Sequence, residues 1–390
     1  MFRMRKIVVG MMLGFGVGST VVMAGTGSTA AAGGSTTVVM TNLNNPRHVH
    51  VGPDDSIYVA EAGAGGRHCS GPSGDKTCIG FSSSVSRYAS GSQRRIVRGL
   101  VSAAGKDGSF AVGGDDAVVS AAGTVFSIET SAGRHPGLPR IYSKQLGRLL
   151  ATSASGRPRP VARVDRFEFR HNPDKKKVDS NPYALAIDPG GGWVVADAAA
   201  NDLLHVTSGG RVTLLATFRA RRDPGSKTRS DSVPTCVVVG PDGAFYVGEL
   251  RGNKAPKNSA RIWRVVPGDA PTVYATGFNR VSGLDFGPDG SLFVAELTTA
   301  AGLSKGLMGA VIEQATDGTR TELAPGRLYA PGGVAVAPDG TVYVSVNSVF
   351  ARRGQVVSID GTGPGPSPSP SSNPSPSPTD DPSPSPSLPF

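Results

Sequence analysis

The tripeptide Pro-Asp-Gly, followed by a hydrophobic run, a small residue and an acid, occurs at residues 241–249 and 288–296, and its first part recurs at 338–344. Degenerate copies begin at Pro53 and Pro189, and a fainter one at residues 121–129 brings the count to six. Self-similarity built from short strands confines the chain to repeat architectures. A strand is expected to begin seven residues ahead of each turn, at Pro46, Gly114, Pro182, Pro234, Val281 and Pro331. These starts lie 47 to 68 residues apart. Four short strands and their turns take roughly 40–50 residues, so each interval holds one blade, with insertions in the first two.

Between start and turn the hydrophobics alternate, as in Val49/Val51, Ala117/Val119, Leu185/Ile187, Val237/Val239, Leu284/Phe286 and Val334/Val336. Period two marks a strand, and the small intervening residues suit the crowded axis where blades converge. Asp-Gly supplies the positive backbone angles of a tight hairpin. Residues 260–266 and 354–359 read as third strands. Radial closure leaves only short edges and calls for no helices, in keeping with 53 glycines and 6% aromatic residues. The fold class is therefore all-β, a six-bladed β-propeller in one domain over residues 33–363.

Arg3, Arg5 and Lys6 precede an apolar stretch and then small residues, the pattern of a signal peptide over residues 1–32 with cleavage after Ala32. A retained membrane anchor is the other reading of this segment. The chain is expected to be secreted and extracellular, with the cell wall as one place of attachment. Residues 364–390 are almost only Pro and Ser, a composition that buries no core and favours extended polyproline II, about 80 Å long at about 3.1 Å per residue. It reads either as a stalk or glycosylated tail, or as a disordered tail without a partner. Cys69 and Cys78 share a Gly/Ser-rich loop and are expected to form a disulfide, while Cys236 reads as a small buried hydrophobe. The formal charge of +10 is dispersed over loops, and outside the cell it faces anionic wall polymers and lipid headgroups, not nucleic acid. Nothing in the sequence argues against a monomer.

Residues 171–174 (His-Asn-Pro-Asp) and 178–183 (Val-Asp-Ser-Asn-Pro-Tyr) form the most idiosyncratic stretch. With Asn201-Asp202-Leu203-Leu204, residues 145–150, Val233-Pro234-Thr235 and residues 330–335, it resembles the ScyD/ScyE family, secreted propellers named after genes of the cyanobacterial scytonemin cluster. The resemblance spans residues 37 to 360 and implies a propeller of NHL or SMP-30-like arrangement. It implies no particular reaction. Two departures stand out: Lys175-Lys176-Lys177 where glycines are usual, and Ala121-Ala122-Gly123 with Phe126-Ser127-Ile128 in the second blade.

Three sets of residues are candidates for chemistry. Glu61, Glu129, Asp197, Glu249, Glu296 and Asn347 end the second strand of successive repeats. At equal radius they could present oxygens to a divalent cation such as calcium in the central channel, or bond the backbone of neighbouring loops. Asn172, Asp174, Asp179, Asn181 and Tyr183 precede or open the third blade, where they could either order their own loop or line the channel mouth around a polar ligand. His48, His50, Asp116 and Asp285 are polar residues on inner strands, and the two histidines share a strand face at a spacing that can serve a metal. No Gly-x-Ser-x-Gly elbow, His-Glu-x-x-His or phosphate-cradling glycine motif is present. The expected function is an envelope-associated binding or scaffold protein, taking a small molecule, glycan or envelope protein. The alternative is a metal-dependent lactonase or hydrolase.

Overall fold

A computed structural model describes residues 30–359, apart from 33, 73–75, 131–138, 154–155, 224–226, 228, 253–254 and 301–305. Most of the expected signal peptide, the Pro/Ser tail and His135 lie outside the described residues. The strands form six antiparallel sheets arranged as blades, plus a separate two-stranded ribbon of Arg221–Arg222 and Arg229–Ser230. Inner strands run Pro46–Val51, Gly114–Val119, Pro182–Ile187, Pro234–Val239, Val281–Phe286 and Gly333–Val336, each packed on the inner strands of the two flanking blades, so the ring closes. Five begin where the repeat predicts. The sixth begins two residues late, and just before it the Gly332 amide donates to Ser345 O at 2.9 Å.

In the first five blades the pairing of first and second strand shifts register at its start, as between Gly114 and Asp116 or Val281 and Gly283. A bulge there bends the strand and re-aims the second residue. Those residues join blade to blade. Arg47 Nε contacts Asp115 Oδ1 at 3.1 Å, Thr235 Oγ1 donates to Val281 O at 2.7 Å, and Ser282 Oγ donates to Pro331 O at 2.8 Å. Three further bonds complete the circle: Thr130 Oγ1 to Asn181 Oδ1, the Val233 amide to Asn201 Oδ1 at 3.0 Å, and Ser345 Oγ to Arg47 O at 2.6 Å.

Apolar faces fill the spaces between sheets. One cluster joins Ala184, Val194 and Ala196 to Val237, Phe245 and Val247, and another joins Cys236 and Tyr246 to Leu284, Leu292 and Val294. Cys236 is thus a buried packing residue, its thiol pushed up by burial. The last blade is completed from the other end of the chain, with Thr36–Leu43 pairing antiparallel to Gly354–Ile359. Ala30–Ala32 lies parallel to Arg320–Leu323 beside the fifth blade, and cleavage after Ala32 would remove it.

The insertions fall where the long intervals place them. In the first blade Thr77–Ala89 and Ser92–Ala104 form a long hairpin, and Cys69 is disulfide-bonded to Cys78 across the pair His68–Ser70 and Thr77–Ala89. Between the second and third blades lies the helix Asp165–His171, and Arg140–Ser143 forms a single helical turn. These helices depart from the all-strand expectation. Both occupy connections, where the chain need not continue a sheet.

Candidate functional site

Four of the six residues, Glu61, Asp197, Glu249 and Glu296, are occupied by partners within or next to their own blades. Glu61 accepts from the Asn44 amide at 2.7 Å, from Ser86 Oγ at 2.7 Å and from Arg95, whose Nη2 lies 2.7 Å from Oε2. Glu249 takes a two-pronged contact from Arg221 at 2.6 and 2.8 Å, with Ser232 Oγ at 2.7 Å and Trp263 Nε1 at 2.8 Å. Asp197 accepts Ser180 Oγ at 2.5 Å and the Asn181 amide at 2.6 Å; burial nevertheless pushes its carboxyl up to about 6. Glu296 receives the Asn279 amide at 2.8 Å, and burial pushes it up to about 7. Neither oxygen of Glu129 has a partner among the described residues, and burial with the nearby Asp115 holds its carboxyl well above the usual range. Asn347 adopts a positive φ of 56° and donates its amide to Tyr329 O at 2.7 Å, so it shapes a turn. Among the described residues no three His, Cys, Asp or Glu side chains form a group able to hold a metal ion.

The set around the third blade does local work. Asn172 caps the helix Asp165–His171 in the left-handed conformation, φ 41°, and its Nδ2 donates to Lys176 O at 2.8 Å. Asp174 accepts the Lys176 amide at 2.8 Å and Asn201 Nδ2 at 3.0 Å. The Asp179 amide reaches Glu168 Oε1 at 3.4 Å. Asn181 is one of the blade links. Tyr183 stands apart from these four: half-buried, it meets His48 edge-on with ring centroids 5.6 Å apart.

The inner-strand polar residues do come together, although not around a common point. His50 Nε2 lies 2.6 Å from Asp116 Oδ1, and Asp116 Oδ2 accepts the Leu185 amide of the third blade at 2.8 Å. Asp285 Oδ2 likewise accepts the Val336 amide of the sixth blade at 2.8 Å. An inner strand is an edge, and its unpaired amides need acceptors; two carboxylates on neighbouring blades supply them. His48 Nδ1 contacts Asp115 O at 2.9 Å, and its Nε2 is buried without a partner.

Burial works against charging His50, but the Asp116 carboxylate overrides it and the ring is held protonated above its ordinary 6.5. Stability from this pair is fully present below about 6.5 and is lost as pH rises through the raised folded value. In Asp116→Asn the desolvation remains and the attraction is gone. The His50 resonances in an NMR titration are therefore expected to move to a midpoint below 6.5, and an unchanged midpoint would remove Asp116 as the cause.

Sequence reading missed the apolar cap where the inner strands begin and the second strands end. Ala198, Val233, Leu250, Leu297, Ala330 and Val349 are buried there, each just outside a strand end. Phe110, Tyr183, Leu307, Tyr329 and Phe350 pack on them while keeping part of their surface in water. Tyr329 and Phe350 stack with centroids 6.0 Å apart at 21°. Connecting loops contribute most of these residues, so no strand period marked them. A cavity of about 20 Å³, room for about one water, adjoins the cap at Leu250 and is also lined by Lys257, Phe278 and Arg280.

No family model and no curated protein matches the sequence. Among solved structures, the chain is similar to a protein assigned as a gluconolactonase, with 10% identity, 86% of this chain and 95% of that one covered, and a TM-score of 0.50. It is also similar to an oxidoreductase assigned as a glucose dehydrogenase from Thermus thermophilus, with 16% identity, coverage of 84% and 100%, and a TM-score of 0.52. A protein of unknown function from Bacteroides thetaiotaomicron gives 10% identity, coverage of 84% and 76%, and a TM-score of 0.52. Likeness at this identity defines the fold, and with the closed ring of blades it makes the chain a six-bladed β-propeller. Its arrangement is that of the NHL and SMP-30-like propellers.

Proposed function

We propose that the chain is an exported binding propeller of the ScyD/ScyE type, whose aromatic cap takes the sugar rings of a cell-envelope glycan. The observation that carries this reading is the partly exposed set Phe110, Tyr183, Tyr329 and Phe350, gathered over one end of the inner strands. Aromatic faces with one wet edge suit a ligand that is apolar on its faces and polar at its rim. The disulfide Cys69–Cys78 accords with an oxidising compartment, and no helix among the described residues is long and apolar enough to cross a membrane. The solved structures named for glucose and gluconolactone chemistry fit a sugar ligand loosely.

A metal-dependent lactonase reading draws less support, because Arg95 and Arg221 already neutralise Glu61 and Glu249 and a cation would have to displace them. Binding to purified envelope polysaccharide, followed by isothermal titration, tests the proposal. The double variant Tyr329→Ala, Phe350→Ala is expected to lose at least about tenfold in affinity, the equivalent of 1.4 kcal/mol. Equal binding by wild type and variant would sink it.

A further inference from the structure

The connection into the third blade holds a cluster of buried and part-buried carboxylates without a basic partner among the described residues. Where Glu61 faces Arg95 and Glu249 faces Arg221, no Lys or Arg among the described residues forms an ion pair with Glu168, Asp174, Asp197 or Asp202. These four carboxylates lie close enough to act on one another electrostatically. Asp174 and Asp197 have hydrogen-bond donors on both oxygens. Asp202 has none on either oxygen and is 0% exposed. Glu168 Oε2 also has none, in a residue 1% exposed, and Asn172 Oδ1, at the end of the same helix, is buried and unpartnered.

Buried carboxylates are paired, protonated or bound to a metal, because leaving them charged and dry costs several kcal/mol each. The orphaned atoms here are all oxygens, the ligand type of hard cations. We propose that this cluster of unpartnered oxygens is a binding site for a hard divalent cation of the calcium class, ligated by Glu168 Oε2, the Asp202 carboxylate and Asn172 Oδ1, with water completing the shell. Two carboxylates and an amide oxygen are a different ligand set from three His, Cys, Asp or Glu side chains, which form no group able to hold a metal ion among the described residues. The site ties the helix Asp165–His171 to the first residue of Asp202–Val206, and so fastens the connection between blades two and three. It shares no residue with the aromatic cap and is independent of the glycan reading.

Thermal unfolding of the full chain in EDTA and then in millimolar calcium tests the site, with terbium luminescence as a direct readout of occupancy. An ion at about a hundred times its Kd adds about 2.7 kcal/mol, so the wild type is expected to gain about 5 °C with calcium and to bind terbium that calcium displaces. Asp202→Asn and Glu168→Gln are expected to fold and to lose that response. Should either fail to fold, Asn172→Gly removes one ligand while tolerating the positive φ, and is expected to weaken calcium at least about tenfold. Identical melting in EDTA and calcium, without terbium luminescence, would overturn the proposal and leave the cluster neutralised by protons. A calcium response undiminished in these variants would overturn it equally, by placing the ion elsewhere.

Discussion

Gly283→Val is expected to prevent the propeller from closing. A Cβ at Gly283 would stand 2.7 Å from Gly333 Cα and 2.8 Å from the Val334 amide nitrogen, and one at Gly333 would stand 2.8 Å from His48 Cα. These neighbours are backbone, so no side-chain rotation relieves the contact, and the inner strands of the fifth, sixth and first blades would have to spread together. Overpacking a core costs about 1–3 kcal/mol where side chains can yield. Here the cost is expected to exceed about 3 kcal/mol for alanine and to be larger for valine, which adds two methyls. Gly209→Ala, whose Cβ would meet nothing nearer than 3.9 Å, is the matched control. Denaturant unfolding reads the difference, and a Gly283→Val midpoint equal to that of the control would refute the close approach.

Arg47→Met is expected to cost about 3–5 kcal/mol, the range for stripping one partner from a buried ion pair. The guanidinium is buried, touching Asp115 Oδ1 at 3.1 Å, Ser348 O at 2.8 Å and Ala111 O at 2.5 Å. Those acceptors belong to the sixth blade, the second blade and the loop entering it, so one side chain spans three parts of the ring. Burial already pushes the Asp115 carboxyl up to about 6 against the pull of Arg47, and without that pull it is expected to rise further. Arg47→Met with Asp115→Asn should therefore recover part of the loss, and a double-mutant cycle isolates the pair. A single variant within about 1 kcal/mol of wild type would show that the pair contributes little.

The blades were legible because the residues that start and turn each strand are local: proline or glycine at all starts but Val281, Asp-Gly at three of the hairpins, alternation between. What each acid does was not legible, since its partner comes from a different strand. Glu61 and Arg95 stand on different strands of the first blade, and Arg221 reaches Glu249 from the ribbon before the fourth. Equivalent positions in a repeat share a place in the blade but not a neighbour, and the neighbour decides the chemistry. Asn172, Asp174 and Asn181 were recognisable as unusual, yet their roles as helix cap, loop acceptor and blade link depend on Lys176, Asn201 and Thr130. The sequence does carry one signal of this kind: Arg47 and Asp115 are oppositely charged at the position where the third to sixth blades place Tyr183, Thr235, Ser282 and Gly332. The closing strand Thr36–Leu43 carried no signal of its own, because its partner lies at the far end of the chain.

That closure also sets the order of assembly. A growing chain makes Thr36–Leu43 before the first blade and Gly354–Ile359 after all the others, so this strand of the propeller waits for its partner until the rest of the ring has been made. Contacts so distant in sequence form late and slowly, since loop closure must precede any gain from pairing. Through that interval residues 36–43 stay an open edge, competent to pair with another chain. Fusion or truncation at the front of the propeller should therefore be felt as aggregation during production before it is felt as instability of the finished ring.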